Sequence, residues 1–349
     1  MTREHLLVLK SIHPVRVLIF GALLLVAACS SNTATSNRSR CGSALCPPSS
    51  RSVDERLGVG APAIQMLVEP GDGVTEVAKA IDGAQHTILV SAYILSQHRI
   101  VRALERAAAQ GVGVYVLLER HPYGIVDQPQ TMFAELAAAG VHIEWAPDYF
   151  VYSHAKFMVL DDAVLVVSSA NFSESGFTSD RDFVVIDDDA LDVREADNIF
   201  RADWDRIAPV LNDPDLLVSP SNSRGKLSQL LARAHHSIDL YSEEVLDPAM
   251  VNLLAAKARA GIRVRVLAAT VSNWARRVLT RAGARIGTSG YRRLYIHAKA
   301  IVVDDRLAFV GSENLSTTSL NDNRELGLLV EDRSAVNRIE ATFDRDWRG

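Results

Sequence analysis

The chain has 349 residues, 48% of them hydrophobic and 23% charged, three cysteines, and a formal net charge of −5. Those proportions exclude a disordered, collagen-like or disulfide-framework protein, and the length exceeds the ~100–150 residues usual for one domain. An acidic balance also excludes nucleic-acid binding through a global positive field, although a local basic groove remains open.

Residues 1–28 stand apart. Arg3, Lys10 and Arg16 precede an uncharged apolar run from Val17 to Ala28, which is shorter than the ~20 residues a spanning helix needs and has the layout of a secretory signal. Val26-Ala27-Ala28-Cys29 resembles the lipobox of bacterial lipoproteins, which implies lipidation of Cys29, removal of residues 1–28, and an exported protein anchored by its lipid in the cell envelope. Ser30 after the cysteine resembles the pattern sorted to the outer membrane. Residues 29–62 are rich in Ser, Asn, Pro, Gly and Arg without apolar periodicity and read as a tether. In an exported compartment Cys41 and Cys46 can form a local disulfide there.

The folded part opens with a helix near 74–81. The run Thr87–Tyr93 reads as a strand, Ile100–Ala109 as a helix ended by Gly111, and Val112–Leu118 as a second strand. Thr131–Ala139 reads as a helix stopped by Gly140, and Val141–Trp145 as a third strand. Two short strands, around Ala155–Leu160 and Ala163–Val167, meet at Asp161-Asp162. Phe183–Ile186 adds another strand and Leu191–Ile207 a closing helix. Strands alternating with helices imply α/β architecture, with helices packed on a central sheet.

The chain then repeats itself. His154-Ala155-Lys156, Asp161 and Ser169-Ala170-Asn171 recur 143 residues later as His297-Ala298-Lys299, Asp304 and Ser312-Glu313-Asn314. At the same offset Asp182 matches Glu325, Tyr152 matches Tyr295, Phe200 matches Phe343 and Trp204 matches Trp347. Upstream the offset is 150, as between Gly111 and Gly261, so the second half has lost seven residues, in the loop His121–Gln130. That loop is a candidate for substrate selection. The repeats are assigned to residues 63–209 and 210–349.

On a strand, residues two apart share a face, so each half can present imidazole, ammonium, hydroxyl and carboxamide toward one spot. Two lysines within otherwise apolar strands call for an anionic ligand, because an unpaired buried ammonium costs several kcal/mol. A phosphate suits that donor set.

Both copies fit H-x-K-x4-D followed by G/S-S-x-N, and on these residues the chain resembles the phospholipase D superfamily from about residue 64 to its end. The resemblance implies mixed β-sheets flanked by helices, a pseudo-twofold arrangement, and one active site between the halves, complete in a monomer. It implies that His154 attacks phosphorus to give a phosphohistidine and that His297 protonates the departing alcohol. Lys156, Lys299, Ser169, Asn171, Ser312 and Asn314 are then expected to bind the phosphate oxygens. Asp182 and Glu325, each 28 residues after its histidine, are expected to orient the imidazoles. With two ammonium groups available, neither metal nor cofactor is expected. Asp161 and Asp304, at a strand turn, are expected to take backbone hydrogen bonds rather than protons, and Tyr152 and Tyr295 to line the mouth or pack. The aromatic residues of the closing helices are expected to cover the sheet. Acidity and export favour a phospholipid substrate, hydrolysed or transferred. A nucleic acid is the alternative, a cardiolipin-synthase-like transfer is a variant of the first, and a catalytically inert binding lipoprotein is the reading from another class.

Overall fold

The computed structural model describes residues 63–71, 73–288 and 294–348. The leader, tether and all three cysteines lie outside the described residues.

The first half runs β1 (Ile64–Glu69), α1 (Gly73–Gly83), β2 (Thr87–Ala92), α2 (His98–Ala109), β3 (Gly113–Leu118), α3 (Gln128–Ala138) and β4 (His142–Trp145). It continues with β5 (Phe157–Leu160), β6 (Val164–Ser168), α4 (Glu174–Thr178), β7 (Asp180–Asp187) and α5 (Ala190–Trp204). The second half replays this as β8 (Leu216–Ser219), α6 (Ser223–Ala232), β9 (Ser237–Val245), α7 (Pro248–Arg259), β10 (Arg263–Val271), α8 (Asn273–Arg281) and β11 (Arg285–Thr288). After β12 (Tyr295–Ile296) come β13 (Ala300–Val303), β14 (Leu307–Gly311), α9 (Thr317–Asn321), β15 (Glu325–Val330) and α10 (Arg333–Arg348).

The two sheets have the same strand order, β4-β3-β2-β5-β6-β7-β1 and β11-β10-β9-β13-β14-β15-β8. Parallel pairs join β2, β3 and β4, where helices make the crossovers, and antiparallel pairs run from β2 through β5, β6 and β7 to β1. The sequence reading thus finds the alternating elements. It misses β1, which lies where no strand is expected, and β12, whose two residues pair with β7 of the other half.

Period-two alternation explains why the central strands are apolar throughout. Phe157 and Val159 of β5 join Ala300 and Val302 of β13 in a core shared by both halves, into which Phe200 and Phe343 also pack. Met158 and Leu160 turn to the opposite face, under α1, α2 and α3, as Ile301 and Val303 turn under α6, α7 and α8. Both faces of each sheet are covered, so the strands need apolar residues at every position. Trp204 and Trp347 pack against the shared core from α5 and α10. Gly111 and Gly261, at φ +88° and +89°, end α2 and α7 in the left-handed region that favours glycine. Among the described residues no helix is long and apolar enough to cross a membrane.

Candidate active site

The His-x-Lys pairs sit just before the ladder strands. β5 starts at Phe157 and β13 at Ala300, so His154 and Lys156, like His297 and Lys299, lie in extended lead-ins. These lead-ins bond to the other half. His154 N donates to Arg324 O at 2.8 Å, Arg324 N donates to Tyr152 O at 2.9 Å, and Ala298 N donates to Arg181 O at 2.8 Å. β12 pairs in parallel with β7, setting Tyr295 against Asp180 and Ile296 against Arg181.

That exchange decides which carboxylate meets which ring. Asp182, one residue after Arg181, lies beside His297, with its oxygens 2.9 and 3.1 Å from Nδ1. Glu325, one residue after Arg324, lies 2.8 Å from His154 Nδ1. The preserved interval of 28 residues therefore picks out two acids that touch histidines, but each serves the histidine of the opposite repeat. Both carboxylates are fully buried and held by further donors: Ser169 Oγ at 2.6 Å on Asp182, Ser319 Oγ at 2.7 Å and Asn323 Nδ2 at 2.9 Å on Glu325.

A neutral imidazole that donates through Nδ1 keeps its lone pair on Nε2. Burial pushes the His154 imidazole down to about 4; Glu325 opposes the shift and Lys156 adds to it. Glu325 is held below the ordinary carboxylate range, because His154 and Lys156 outweigh its own burial. His154 is thus a neutral imidazole at physiological pH, with its free nitrogen available for attack.

The two lysines are buried, at 0% and 1% exposure, but differently partnered. Lys156 Nζ donates to His154 O at 2.5 Å and lies over the Tyr93 ring, 4.9 Å from its centroid. Burial pushes its ammonium down to about 7; Glu325 opposes and the like charge of Lys299 assists. Lys299 Nζ donates to His297 O at 2.5 Å and to Glu243 Oε2 at 3.0 Å. Glu243 also receives Tyr295 OH at 3.0 Å and Asn314 Nδ2 at 3.4 Å, and its Oε2 lies 3.7 Å from His297 Nε2. Its carboxyl is held well below the usual range: burial alone would raise it, but Lys299 and His297 prevail. Among the described residues no carboxylate lies within ion-pair range of His154 Nε2. Sequence reasoning missed Glu243, although one signal was present. At the upstream offset of 150 it matches Tyr93, so a charged residue in one half stands where the other half has an aromatic ring.

The remaining expected residues divide into two groups. Asn171 Oδ1 and Asn314 Oδ1 are buried acceptors without a hydrogen-bond partner; a phosphate oxygen, itself an acceptor, bonds only to their Nδ2 groups. The serine hydroxyls are engaged elsewhere: Ser169 also accepts from Phe183 N at 2.9 Å, and Ser312 accepts from Leu326 N at 3.1 Å. In this structure they support the strands and acids beneath the histidines rather than presenting free donors. Asp161 accepts the N–H groups of Gln85, His86 and Thr87 at 2.6–2.8 Å, and Asp304 accepts those of His235, His236 and Ser237 at 2.7–2.8 Å. Both are turn anchors away from the reacting groups. Tyr152 packs edge-on against Tyr93, whose ring lies 4.5 Å from that of His154.

Residues 77–204 and 227–347 each match the family model described as "Cardiolipin synthase, PLD-like domain". The chain belongs to the phospholipase D-like family. Among curated relatives, "Cardiolipin synthase B" of Salmonella typhi is 26% identical over 324 residues, covering 78% of this chain and 77% of the relative. "Cardiolipin synthase A" of Pseudomonas putida is 25% identical over 331 residues, covering 81% and 68%. Among solved structures, phosphatidylserine synthase of Haemophilus influenzae shares the fold at TM-score 0.64 and 15% identity, with 82% of this chain and 86% of that one covered. Polyphosphate kinase of Porphyromonas gingivalis does so at TM-score 0.66 and 16% identity, this chain spanning 51% of its length. The duplicated phospholipase D-like fold, with two mixed sheets flanked by helices, is thereby established.

Proposed function

We propose that this phospholipase D-like chain exchanges the head group of a glycerophospholipid through a phosphohistidine, passing the phosphatidyl group to an acceptor hydroxyl, with hydrolysis when water is the acceptor. The observation that carries the reading is the pair of histidines whose Nδ1 atoms each meet a buried carboxylate of the opposite half. His154 Nε2 attacks phosphorus, the bond to the leaving alcohol oxygen breaks, and that oxygen takes the proton of His297 Nε2. An acceptor hydroxyl then gives its proton to His297 as its oxygen attacks phosphorus, and the P–N bond to His154 breaks. Glu243 distinguishes the two rings, since among the described residues a carboxylate lies within ion-pair range of Nε2 at His297, 3.7 Å away, but not at His154. Lys156, Lys299, Asn171 and Asn314 take the non-bridging oxygens, where one donor supplies ~10²–10³ in rate.

Transfer is placed ahead of hydrolysis because the curated relatives are synthases. Support for a lipid comes from the acidic balance and from loops next to Tyr93 and His154 that expose Tyr123, Val126, Tyr149 and Val151. The same proposal includes export and anchoring through Cys29, on the strength of the apolar run and small residues before it; replacing Cys29 with alanine should release the protein from membranes. The deciding assay incubates the full chain in detergent with phosphatidylcholine, phosphatidylethanolamine and phosphatidylglycerol, with glycerol as acceptor, and separately with single- and double-stranded DNA. Head-group exchange without DNA cleavage is expected. DNA cleavage without head-group release would replace the lipid reading by the nucleic-acid one.

A further inference from the structure

Away from the histidines, where β7 runs into α5 and the connector returns to β8, five carboxylates gather. Asp187 ends β7, Asp192 and Glu195 lie in α5, and Asp213 and Asp215 precede β8. Asp187, Asp192, Glu195 and Asp213 are at most 8% exposed. One oxygen from each of Asp192, Asp213 and Asp215 lies within 4.8 Å of the other two, and the Asp192 carboxyl faces those of Asp187 and Asp213 at hydrogen-bond range.

Half of the oxygens of Asp187, Glu195 and Asp213 accept backbone N–H groups. Glu195 Oε2 accepts the N–H groups of Asn212 and Asp213 at 2.5 and 2.6 Å, Asp213 Oδ1 those of Asp215 and Leu216 at 2.7 and 3.3 Å, and Asp187 Oδ1 that of Asp189 at 3.0 Å. The other oxygens, Asp187 Oδ2, Glu195 Oε1 and Asp213 Oδ2, are buried and receive no donor. The nearby ammonium of Lys226 is bonded to the carbonyls of Asp213 and Leu216, both at 2.6 Å. Among the described residues no Lys or Arg forms an ion pair with any of the five acids.

Buried anionic oxygens facing one another repel unless something positive lies between them. A proton is the smallest candidate, and burial together with Asp187 and Asp213 does push the Asp192 carboxyl up to about 10. A single proton satisfies one contact and leaves Asp213 Oδ2 and its neighbours as they were. A hard divalent cation satisfies several carboxylate oxygens at once. Ligands drawn from a helix and an irregular connector suit the flexible, all-oxygen shell of calcium better than the strict octahedron of magnesium. A cleft of about 350 Å³ bordered by Glu195, Asn212 and Asp213 gives an entry path.

We propose that Asp192, Asp213 and Asp215 bind one calcium-class divalent cation that pins the connector between the repeats onto α5. The site is independent of the head-group chemistry, since none of its residues touches the histidines, lysines or their acids. The connector joins the halves that exchange Asp182 and Glu325, so the cation stabilises the register of both repeats.

The full chain, stripped with a chelator and dialysed, is titrated with calcium chloride while heat and melting temperature are followed. One saturable site per chain and a melting temperature several degrees higher at saturation are expected. Magnesium should bind at least tenfold more weakly. Asp213→Asn should weaken calcium binding at least tenfold, and so should Asp215→Asn, whose exposed position leaves folding intact should the buried variant misfold. No saturable heat and no change in melting temperature with calcium would overturn the proposal. So would a melting temperature that responds only to acidification, which would mean a shared proton.

Discussion

Lys156 and His154 set the pH range in which the proposed chemistry runs. His154 must be neutral to attack, and its imidazole lies at about 4, so kcat/KM should hold down to mildly acidic pH and fall only as pH drops through about 4. Lys156 must be charged to hold phosphate, and its ammonium lies at about 7, so kcat/KM should decline as pH rises through that value. Lys156→Arg, permanently charged, should move that basic limb upward; an unmoved limb would assign it to another group. Glu243→Gln should slow substrates with poor leaving alcohols about tenfold or more, while nitrophenyl phosphodiesters, which leave without a proton, should be affected little. A purely structural Glu243 would slow both alike. Glu313 belongs to stability rather than chemistry. Burial pushes its carboxyl up to about 8, with Glu325 adding to the shift, against the Ser223 hydroxyl and the backbone N–H groups of Glu313 and Ser312. The folded form therefore keeps a proton that the unfolded form loses above its ordinary value near 4.5, so its effect on stability worsens between about 4.5 and 8. Glu313→Gln should flatten that slope in melting temperature, whereas an unchanged slope would contradict the burial argument.

The β5–β6 and β13–β14 hairpins are where sequence and structure agree best. The turns Asp161-Asp162 and Asp304-Asp305 hold φ between 52° and 55°, the left-handed geometry that Asp tolerates, in turns closed by Ala163 N on Leu160 O and Arg306 N on Val303 O. Each first Asp gathers three N–H groups from the segment entering the adjacent strand, so Asp161→Ala should cost roughly 1–3 kcal/mol of stability. The refolded enzyme should keep its rate per folded molecule; a large loss of rate at full folding would give Asp161 a part in the chemistry. The hairpins and crossover helices were legible because apolar alternation, terminal glycines and the repeat all point to the same elements. β12 was not, since two residues pairing with the other half carry no periodicity. The cation cluster escaped notice for a related reason: Asp192, Asp213 and Asp215 are ordinary surface-type residues in sequence, and only the return of the connector brings them together. Glu243 was readable in principle, as a change of chemical class at a duplicated position, yet the repeat draws attention to what is kept rather than to what differs.

At the scale of the molecule the duplication has a consequence no single repeat could give. Each half supplies the carboxylate that orients the other half's histidine, so neither half holds a complete catalytic pair. Asp182→Asn should therefore behave as a defect in His297, with the alcohol leaving slowly and the covalent intermediate turning over slowly. Glu325→Gln should behave as a defect in His154, with little intermediate formed. Pairing within each repeat would give the opposite phenotypes, and rapid-quench measurement of the phosphoenzyme distinguishes them. The central claim, that His154 is the nucleophile and His297 the acid and base, is tested most directly by trapping. With a nitrophenyl phosphodiester, the His297→Asn variant should accumulate a phosphoenzyme whose label maps by peptide mass to His154, and His154→Asn should accumulate none. Label on His297 in the His154→Asn variant, or no covalent intermediate in either, would contradict it.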